Sequence, residues 1–147
     1  MNKKSFVYVT YIATTPEKLW AALTSKEFTK QYFFGREIMS DWQVGSSFQL
    51  MNKDKTEHYG EVLVYEPYSL LTITWSVKDP EGDRMSKVTY ELTPLNGTIK
   101  LTLRHEELLE QDILKDEGKI EGFNNGWPFI LSNLKSLLET GKTLTAF

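Results

Sequence analysis

The chain has no cysteine among its 147 residues, and that one absence removes disulfides, thiol nucleophiles and thiolate metal sites together. Histidine is nearly as scarce: His58 and His105 are the only two. Zinc asks for three or four protein ligands with preferred local spacing, so no metal site is expected. The acidic run Glu106, Glu107, Glu110, Asp112, Asp116 and Glu117 lacks the alternating oxygen ligands and central glycine of a calcium loop, and reads as solvated surface. The nine glycines are spread through turns, and none forms a strand-to-helix loop that ends in lysine followed by serine or threonine. No serine stands in a Gly-x-Ser-x-Gly elbow. Nucleotide hydrolysis and serine-type acyl transfer are set aside, and no cofactor is expected. No apolar stretch is long enough to cross a bilayer, and the Met1 to Lys4 start leads straight into a strand-like run without a signal segment. The chain therefore reads as soluble and cytoplasmic. Its 17 basic residues stand against 20 acidic ones, for a net charge of −3, and they are scattered rather than gathered into a stripe, so nucleic acid is not an expected partner.

Aromatic side chains are plentiful instead, at 13% of the chain with four tryptophans and seven tyrosines. Large rings pack cores, and they also line cavities. Which of the two applies here turns on the hairpin at Asn96-Gly97. Asn-Gly favours a two-residue type I′ turn, so Leu95 opposes Thr98 and the pairing continues by constant sum. One face then carries Leu92 with Leu101, Tyr90 with Leu103, and Val88 with His105. The other carries Thr93 with Lys100, Glu91 with Thr102 and Thr89 with Arg104, which suits water and offers a diagonal charge pair. A dry face holding a phenol and an imidazole is either a core with two polar groups to satisfy or the wall of a pocket.

The order of elements follows from patterning. Phe6 to Ile12 is a first strand, with both faces apolar enough to leave its inward side open. Thr14-Thr15-Pro16-Glu17 starts a short helix carrying Leu19, Trp20 and Leu23 and ending near Thr24. Ser25 caps a second, with Phe28 and Tyr32 four residues apart, and Phe33-Phe34-Gly35 breaks it. Strands are expected over Glu37 to Trp42, Ser47 to Met51, Glu57 to Tyr65, Leu71 to Val77, Met85 to Thr93 and Thr98 to Glu106. In the Leu71 to Val77 strand, Leu71, Ile73, Trp75 and Val77 face inward and Thr72, Thr74 and Ser76 outward. A last helix carries the stripe Phe123, Trp127, Ile130, Leu131, Leu134 and Leu138, with Ser132, Asn133, Ser136 and Glu139 off it. Gly141 stops this helix, and Pro128 bends it unless it begins near Asn124 or Asn125, so a kinked helix is expected. The expected organisation is a single α+β domain over residues 1–147.

Four segments carry a resemblance to a known family: Pro16-Glu17-Lys18-Leu19-Trp20, Leu71-Thr72-Ile73-Thr74-Trp75, Val88-Thr89-Tyr90-Glu91-Leu92, and above all Gly126-Trp127-Pro128-Phe129-Ile130-Leu131-Ser132-Asn133-Leu134-Lys135. Over residues 5 to 143 the chain resembles the SRPBCC superfamily (START and birch-pollen-allergen-like proteins). Within it, it is most similar to bacterial homologues of the C-terminal domain of Aha-type activators of the heat-shock chaperone ATPase. That resemblance implies a helix-grip fold, in which a curved seven-stranded antiparallel sheet holds the C-terminal helix above a hydrophobic cavity. It implies binders of lipids, sterols and polyketides, aromatase/cyclases, and chaperone regulators of the stress response. The motif is a packing motif, so no catalytic residue carries over. What carries over is location, with Trp75, Tyr90 and Trp127 near the interface of sheet and long helix.

The expected function is non-catalytic binding of a small hydrophobic ligand (a lipid, polyketide or flavonoid-like aromatic). The expected site residues are Phe34, Phe48, Trp75, Tyr90, Leu103, His105, Phe123, Trp127 and Leu131, with entry between Phe33-Phe34 and the Phe123 to Trp127 bend. Tyr90, His105 and the indoles of Trp75 and Trp127 would orient the ligand. Two alternatives stay open: a protein-interaction module acting on a chaperone or another partner, and a cyclase- or dehydratase-like enzyme using His105 with a tyrosine as acid and base. His105 can equally be a strand-end histidine bonded to Glu106, Glu107 or water, and His58 reads as a solvated strand end.

Overall fold

The computed structural model describes residues 3–116 and 118–145; Glu117, the last member of the acidic run, lies outside them. Strand β1 (Lys4–Ile12) leads into helices α1 (Pro16–Thr24) and α2 (Lys26–Tyr32). Six strands follow: β2 (Glu37–Ser40), β3 (Ser47–Asn52), β4 (Lys55–Glu66), β5 (Leu70–Val77), β6 (Arg84–Leu95) and β7 (Thr98–Leu108). A 3-10 turn at Glu110–Asp112 and the long helix α3 (Phe123–Thr140) complete the chain. The strands form one curved antiparallel sheet in the order β1-β7-β6-β5-β4-β3-β2, the helix-grip arrangement.

The Asn96-Gly97 turn sets the β6–β7 register as its chemistry requires. Asn96 and Gly97 both take positive φ (47° and 81°), and Leu92 opposes Leu101, Tyr90 opposes Leu103 and Val88 opposes His105. The diagonal charge pair forms between Arg104 and Glu91, with Nη1 to Oε1 at 3.5 Å. In β1 the buried end at Ile12 fixes the parity: Phe6, Tyr8 and Thr10 turn inward, and Val7, Val9 and Tyr11 are exposed on the outer face.

Helix α1 begins as its sequence dictates, with the Thr15 hydroxyl accepting from Lys18 N–H at 3.2 Å and Pro16 in the first turn. Ser25 occupies the N-cap of α2 but does not cap it through its side chain, because its hydroxyl donates to Glu27 Oε2 at 2.9 Å instead. Strand β2 stops at Ser40, short of the expected Trp42. Trp42 is held in the left-handed region (φ 53°), its backbone N–H donates to Ser40 Oγ, and its indole donates to the Thr24 carbonyl at 3.0 Å.

The outer face of the sheet is drier than alternation suggests, since Thr72, Ser76 and Thr102 are buried. Two of the β5 hydroxyls are used as acceptors. Between Tyr59 and Glu61, β4 bonds to β5 through side chains: Tyr59 N–H donates to Ser76 Oγ at 3.0 Å, and Glu61 N–H donates to Thr74 Oγ1 at 2.8 Å. Gly60 makes this approach possible, since a Cβ there would fall 2.6 Å from the Thr74 hydroxyl and closer still to its carbonyl oxygen. Gly60→Ala is therefore expected to push β4 from β5 and to destabilise the fold by about 1–3 kcal/mol, the usual cost of overpacking. A urea melt of the variant checks it, and an unchanged midpoint would mean the strands part freely.

Helix α3 starts at Phe123, so Pro128 falls in its second turn, where it supplies no N–H for the Asn124 carbonyl. Gly141 ends the helix in the left-handed conformation (φ 83°), as expected. Asn133 is not a solvent-facing residue. It is buried because the chain beyond Gly141 folds back over it, and its Oδ1 accepts from Leu144 N–H at 2.8 Å and Thr145 N–H at 3.1 Å.

Candidate functional site

A cavity of about 320 Å³ lies between the sheet and the start of α3. Five pieces of chain wall it. The C-terminal end of α2 and the turn after it supply Phe33, Phe34 and Arg36; β4 and β5 supply His58 and Trp75; the 111–122 segment supplies Leu114, Ile120 and Asp112; and α3 supplies Phe123, Trp127 and Ile130. The wall is chiefly aromatic. Phe33 stacks on Trp75 at 6.0 Å and meets Trp127 edge-on at 5.6 Å, and Phe34 stacks on Phe129 at 5.8 Å. Phe34 and Gly35 take consecutive positive φ values, 53° and 75°. The left-handed region costs a non-glycine residue roughly 1–2 kcal/mol, so Phe34 is held at this mouth by its packing rather than by local preference.

The irregular wall is pinned by side chains. Asn124 bonds both backbone groups of Leu114, accepting from its N–H at 3.0 Å and donating to its carbonyl at 2.8 Å. Asn125 donates to the carbonyls of Asp116 at 2.8 Å and Glu121 at 3.0 Å. Asp112 accepts from Arg84 Nη2 at 2.8 Å and from Leu109 N–H at 2.8 Å. Asp112 is thus a half-buried, paired member of the acidic run rather than part of a solvated surface, because Arg84 reaches it from β6.

Of the nine residues expected at the site, Phe34, Trp75, Phe123 and Trp127 line this cavity. Phe48, Tyr90, Leu103, His105 and Leu131 do not; they are buried in the packed core. The Trp127 indole makes the division. Tyr90 meets it edge-on at 6.2 Å, and His105 lies behind it. The cavity therefore occupies the outer part of the gap between helix and sheet, and rings and aliphatic side chains fill the inner part.

His105 sits in a fixed chain of hydrogen bonds. Trp127 Nε1–H donates to His105 Nδ1 at 2.9 Å, and because an indole only donates, the imidazole proton must be on Nε2. Nε2–H then donates to Ser86 Oγ at 2.7 Å, and Ser86 donates onward to the Trp75 carbonyl at 2.8 Å. Burial lowers the His105 pKa to about 3; the nearby His58 lowers it further and Asp112 opposes. The histidine is not bonded to Glu106, Glu107 or water at a sheet edge. It is fully buried, and both ring nitrogens are occupied, Nδ1 by the Trp127 indole and Nε2–H by the Ser86 hydroxyl.

His58 is not a solvated strand end either. It pairs with Leu50 and stacks on Trp75 with ring centroids 4.7 Å apart. Its Nδ1–H donates to the Ser76 carbonyl at 3.0 Å, and burial lowers its pKa. Alternation back from buried Val62 through Gly60 puts His58 on the inner face, a signal legible in the sequence. Arg36 and Asp112 carried no such signal, since both lie in irregular chain.

Two polar atoms in the wall have no partner among the described residues: Trp75 Nε1 and Arg36 Nε, both buried. The nearest carboxylate to Arg36, Glu57 Oε1, is 3.9 Å from Nη2, beyond hydrogen-bond reach, and accepts from Asn52 at 3.2 Å. Among the described residues, no group of three or more metal-ligating side chains occurs, and no helix is long and apolar enough to cross a membrane.

Residues 13–139 match the family described as Activator of Hsp90 ATPase homolog 1-like protein. Among solved structures, protein MLL2253 from Mesorhizobium loti is 28% identical with a TM-score of 0.74, covering 92% of this chain and 96% of its own. The Aha1 dimer from Colwellia psychrerythraea is 20% identical with a TM-score of 0.75, covering 95% and 98%. PFC0360w, an HSP90 activator from Plasmodium falciparum, is 23% identical with a TM-score of 0.72, covering 91% and 95%. No curated protein sequence matches the chain.

Proposed function

We propose that this chain, which belongs to the family of Activator of Hsp90 ATPase homolog 1-like proteins, binds a small apolar molecule between the sheet and α3 without doing chemistry on it. The observation that carries this reading is the 320 Å³ cavity walled by Phe33, Phe34, Trp75, Phe123 and Trp127 at the edge of the buried core. Apolar burial there supplies affinity at about 25 cal/mol per Å² of ligand surface removed from water, before the costs of association. The volume is at the low end of the usual range of about 300–1,000 Å³, which suits one or two fused rings better than a long-chain lipid. The fixed protonation of His105 supports a binder over an acid–base enzyme.

A thermal-shift screen against lipids, sterols, flavonoids and polyketide-like aromatics tests the proposal. A ligand of the folded state stabilises by about 2.7 kcal/mol at a hundredfold excess over its dissociation constant. The expected result is a dose-dependent rise in Tm with small aromatics, reduced in Phe34→Ala. No shift from any class would overturn the reading.

A second reading, docking to a chaperone, is favoured by one further observation. Val7, Val9 and Tyr11, 53%, 43% and 50% exposed, form an apolar row on the outer face of edge strand β1. The Plasmodium relative is described as an HSP90 activator. Titration of an Hsp90-type ATPase with this chain separates the two readings, since a pure small-molecule binder leaves its rate unchanged.

A further inference from the structure

Strand β1 lies at one edge of the sheet and pairs with β7 on one side only. In an antiparallel strand the N–H and C=O of a residue point to the same side, and that side alternates along the chain. Two independent observations fix the alternation in β1. A two-residue turn closes on a hydrogen-bonded pair, here Leu95 with Thr98, so the even residues of β7 bond β6. The odd ones, Leu101, Leu103 and His105, then bond their β1 partners Thr10, Tyr8 and Phe6. From the opposite side of β1, Lys135 Nζ donates to the Tyr11 carbonyl, and Ala13 N–H donates to Glu139 Oε2 at 2.8 Å. The backbone groups of Val7 and Val9 therefore point away from the sheet, and on that side they have no hydrogen-bond partner among the described residues.

Natural sheets blunt such an edge with a charge, a proline, a bulge or covering chain. In β1 the bulge comes before Phe6, and the bonds from α3 reach Tyr11 and Ala13. Between them Phe6-Val7-Tyr8-Val9-Thr10 carries neither charge nor proline, and Val7 and Val9 are 53% and 43% exposed. The middle of the strand is thus a free edge fit for another strand.

We propose that a second copy of this chain completes the edge, β1 pairing antiparallel with β1 about a two-fold axis at Tyr8, so that Val7 of each copy opposes Val9 of the other. The free groups select this register. Pairing Val9 with itself would call on the Tyr11 carbonyl, which Lys135 occupies, and pairing Val7 with itself would run into the bulge. With the axis at Tyr8, every outward N–H and C=O of Val7 and Val9 finds a partner, and their side chains form apolar cross-strand pairs on the outer face. The ends agree in charge. Lys4 of one copy arrives where Glu139 of the other closes its strand, and Glu139 meets Ala13 and Lys135 through Oε2 alone, leaving Oε1 for Lys4. One strand pair buries less than the roughly 1,200–2,000 Å² of a standard interface, so the dimer is reversible. It does not depend on what the cavity binds.

Sedimentation velocity across micromolar concentrations tests the proposal, with a concentration-dependent monomer–dimer equilibrium as the expected result. Val9→Pro removes an N–H that faces away from β7, a position where an edge strand tolerates proline. It should keep the circular dichroism of the parent and weaken dimerisation by roughly tenfold or more, since both copies lose a donor. Crosslinking reads the register without relying on that variant. The chain has no cysteine, so Val7→Cys and Val9→Cys proteins carry one thiol each. Mixed, they should form a disulfide-linked dimer on mild oxidation, because opposed residues of a bonded pair have Cα atoms about 5.5 Å apart. Either alone places its two thiols a diagonal step apart, beyond disulfide reach, and should crosslink far more slowly. A monomer at every concentration would overturn the proposal and leave the edge to a strand of a different protein. A dimer that crosslinks without preference for the mixture, or that a folded Val9→Pro variant forms equally well, would place the contact elsewhere and overturn the β1 pairing.

Discussion

Trp127→Ala is expected to destabilise the protein by about 3–5 kcal/mol, the range for truncating a buried aromatic residue to alanine. That loss is a large share of the stability of a domain this size. Trp127 is 2% exposed and touches Phe33, Trp75 and Tyr90 with ring centroids 5.6, 5.4 and 6.2 Å away. Its indole is also the only donor to His105 Nδ1 among the described residues. Trp127→Phe separates the two contributions. It keeps most of the ring volume but leaves a buried acceptor unpaired, at about 1–3 kcal/mol. Adding His105→Leu to Trp127→Phe removes the stranded acceptor, so the double variant should be more stable than the sum of the two single changes predicts. Urea melts of the four proteins measure this coupling. Simple additivity would mean that the hydrogen bond contributes nothing and that Trp127 acts by volume alone.

What could be read from the sequence depended on whether a local rule fixed the geometry. The Asn96-Gly97 turn constrains both strands it joins, so pairings as distant as Val88 with His105 followed from counting. The α3 stripe followed from its period of three and four. Register gives a side chain's face but not its depth along the gap. Tyr90, Leu103 and His105 face inward as read, yet they lie in the filled core while Trp75 reaches the cavity. The end of β2 depends on the Trp42 indole reaching Thr24 across the fold, and no local pattern announces that contact. The wall over residues 111–116 and 118–122 has no periodicity, since its shape comes from Asn124, Asn125 and the Arg84–Asp112 pair. The unpartnered donors on Trp75 and Arg36 are defined by what does not approach them, which only a complete three-dimensional arrangement reveals.

Acidification should weaken the fold well before the carboxylates begin to titrate. His105 has a pKa of about 3 when folded, because burial penalises its charged form, against about 6.5 in the unfolded chain. Between those values the unfolded chain holds a proton that the folded protein does not. Stability is therefore fully present above pH 6.5 and falls with pH down to about 3, by up to about 1.4 kcal/mol per unit for this residue. His58, also lowered by burial, acts in the same direction. Glu57, Glu107, Glu139 and Asp83 have lowered pKa values and add to the loss, but their unfolded values near 4 confine that effect to more acidic solution. The interval from pH 6.5 to about 5 thus isolates the histidines. His105→Gln can accept from Trp127 and donate to Ser86 without titrating, so it should remove the His105 share of the slope and leave that of His58. Denaturant melts at half-unit steps check the slope, and NMR of the imidazole checks its cause. A His105 that titrates near 6.5 in the folded protein, or a slope unchanged by His105→Gln, would show that the Trp127–His105–Ser86 chain does not fix the proton. That outcome would also return His105 to consideration as an acid–base group, because the argument against catalysis rests on the same occupied nitrogens.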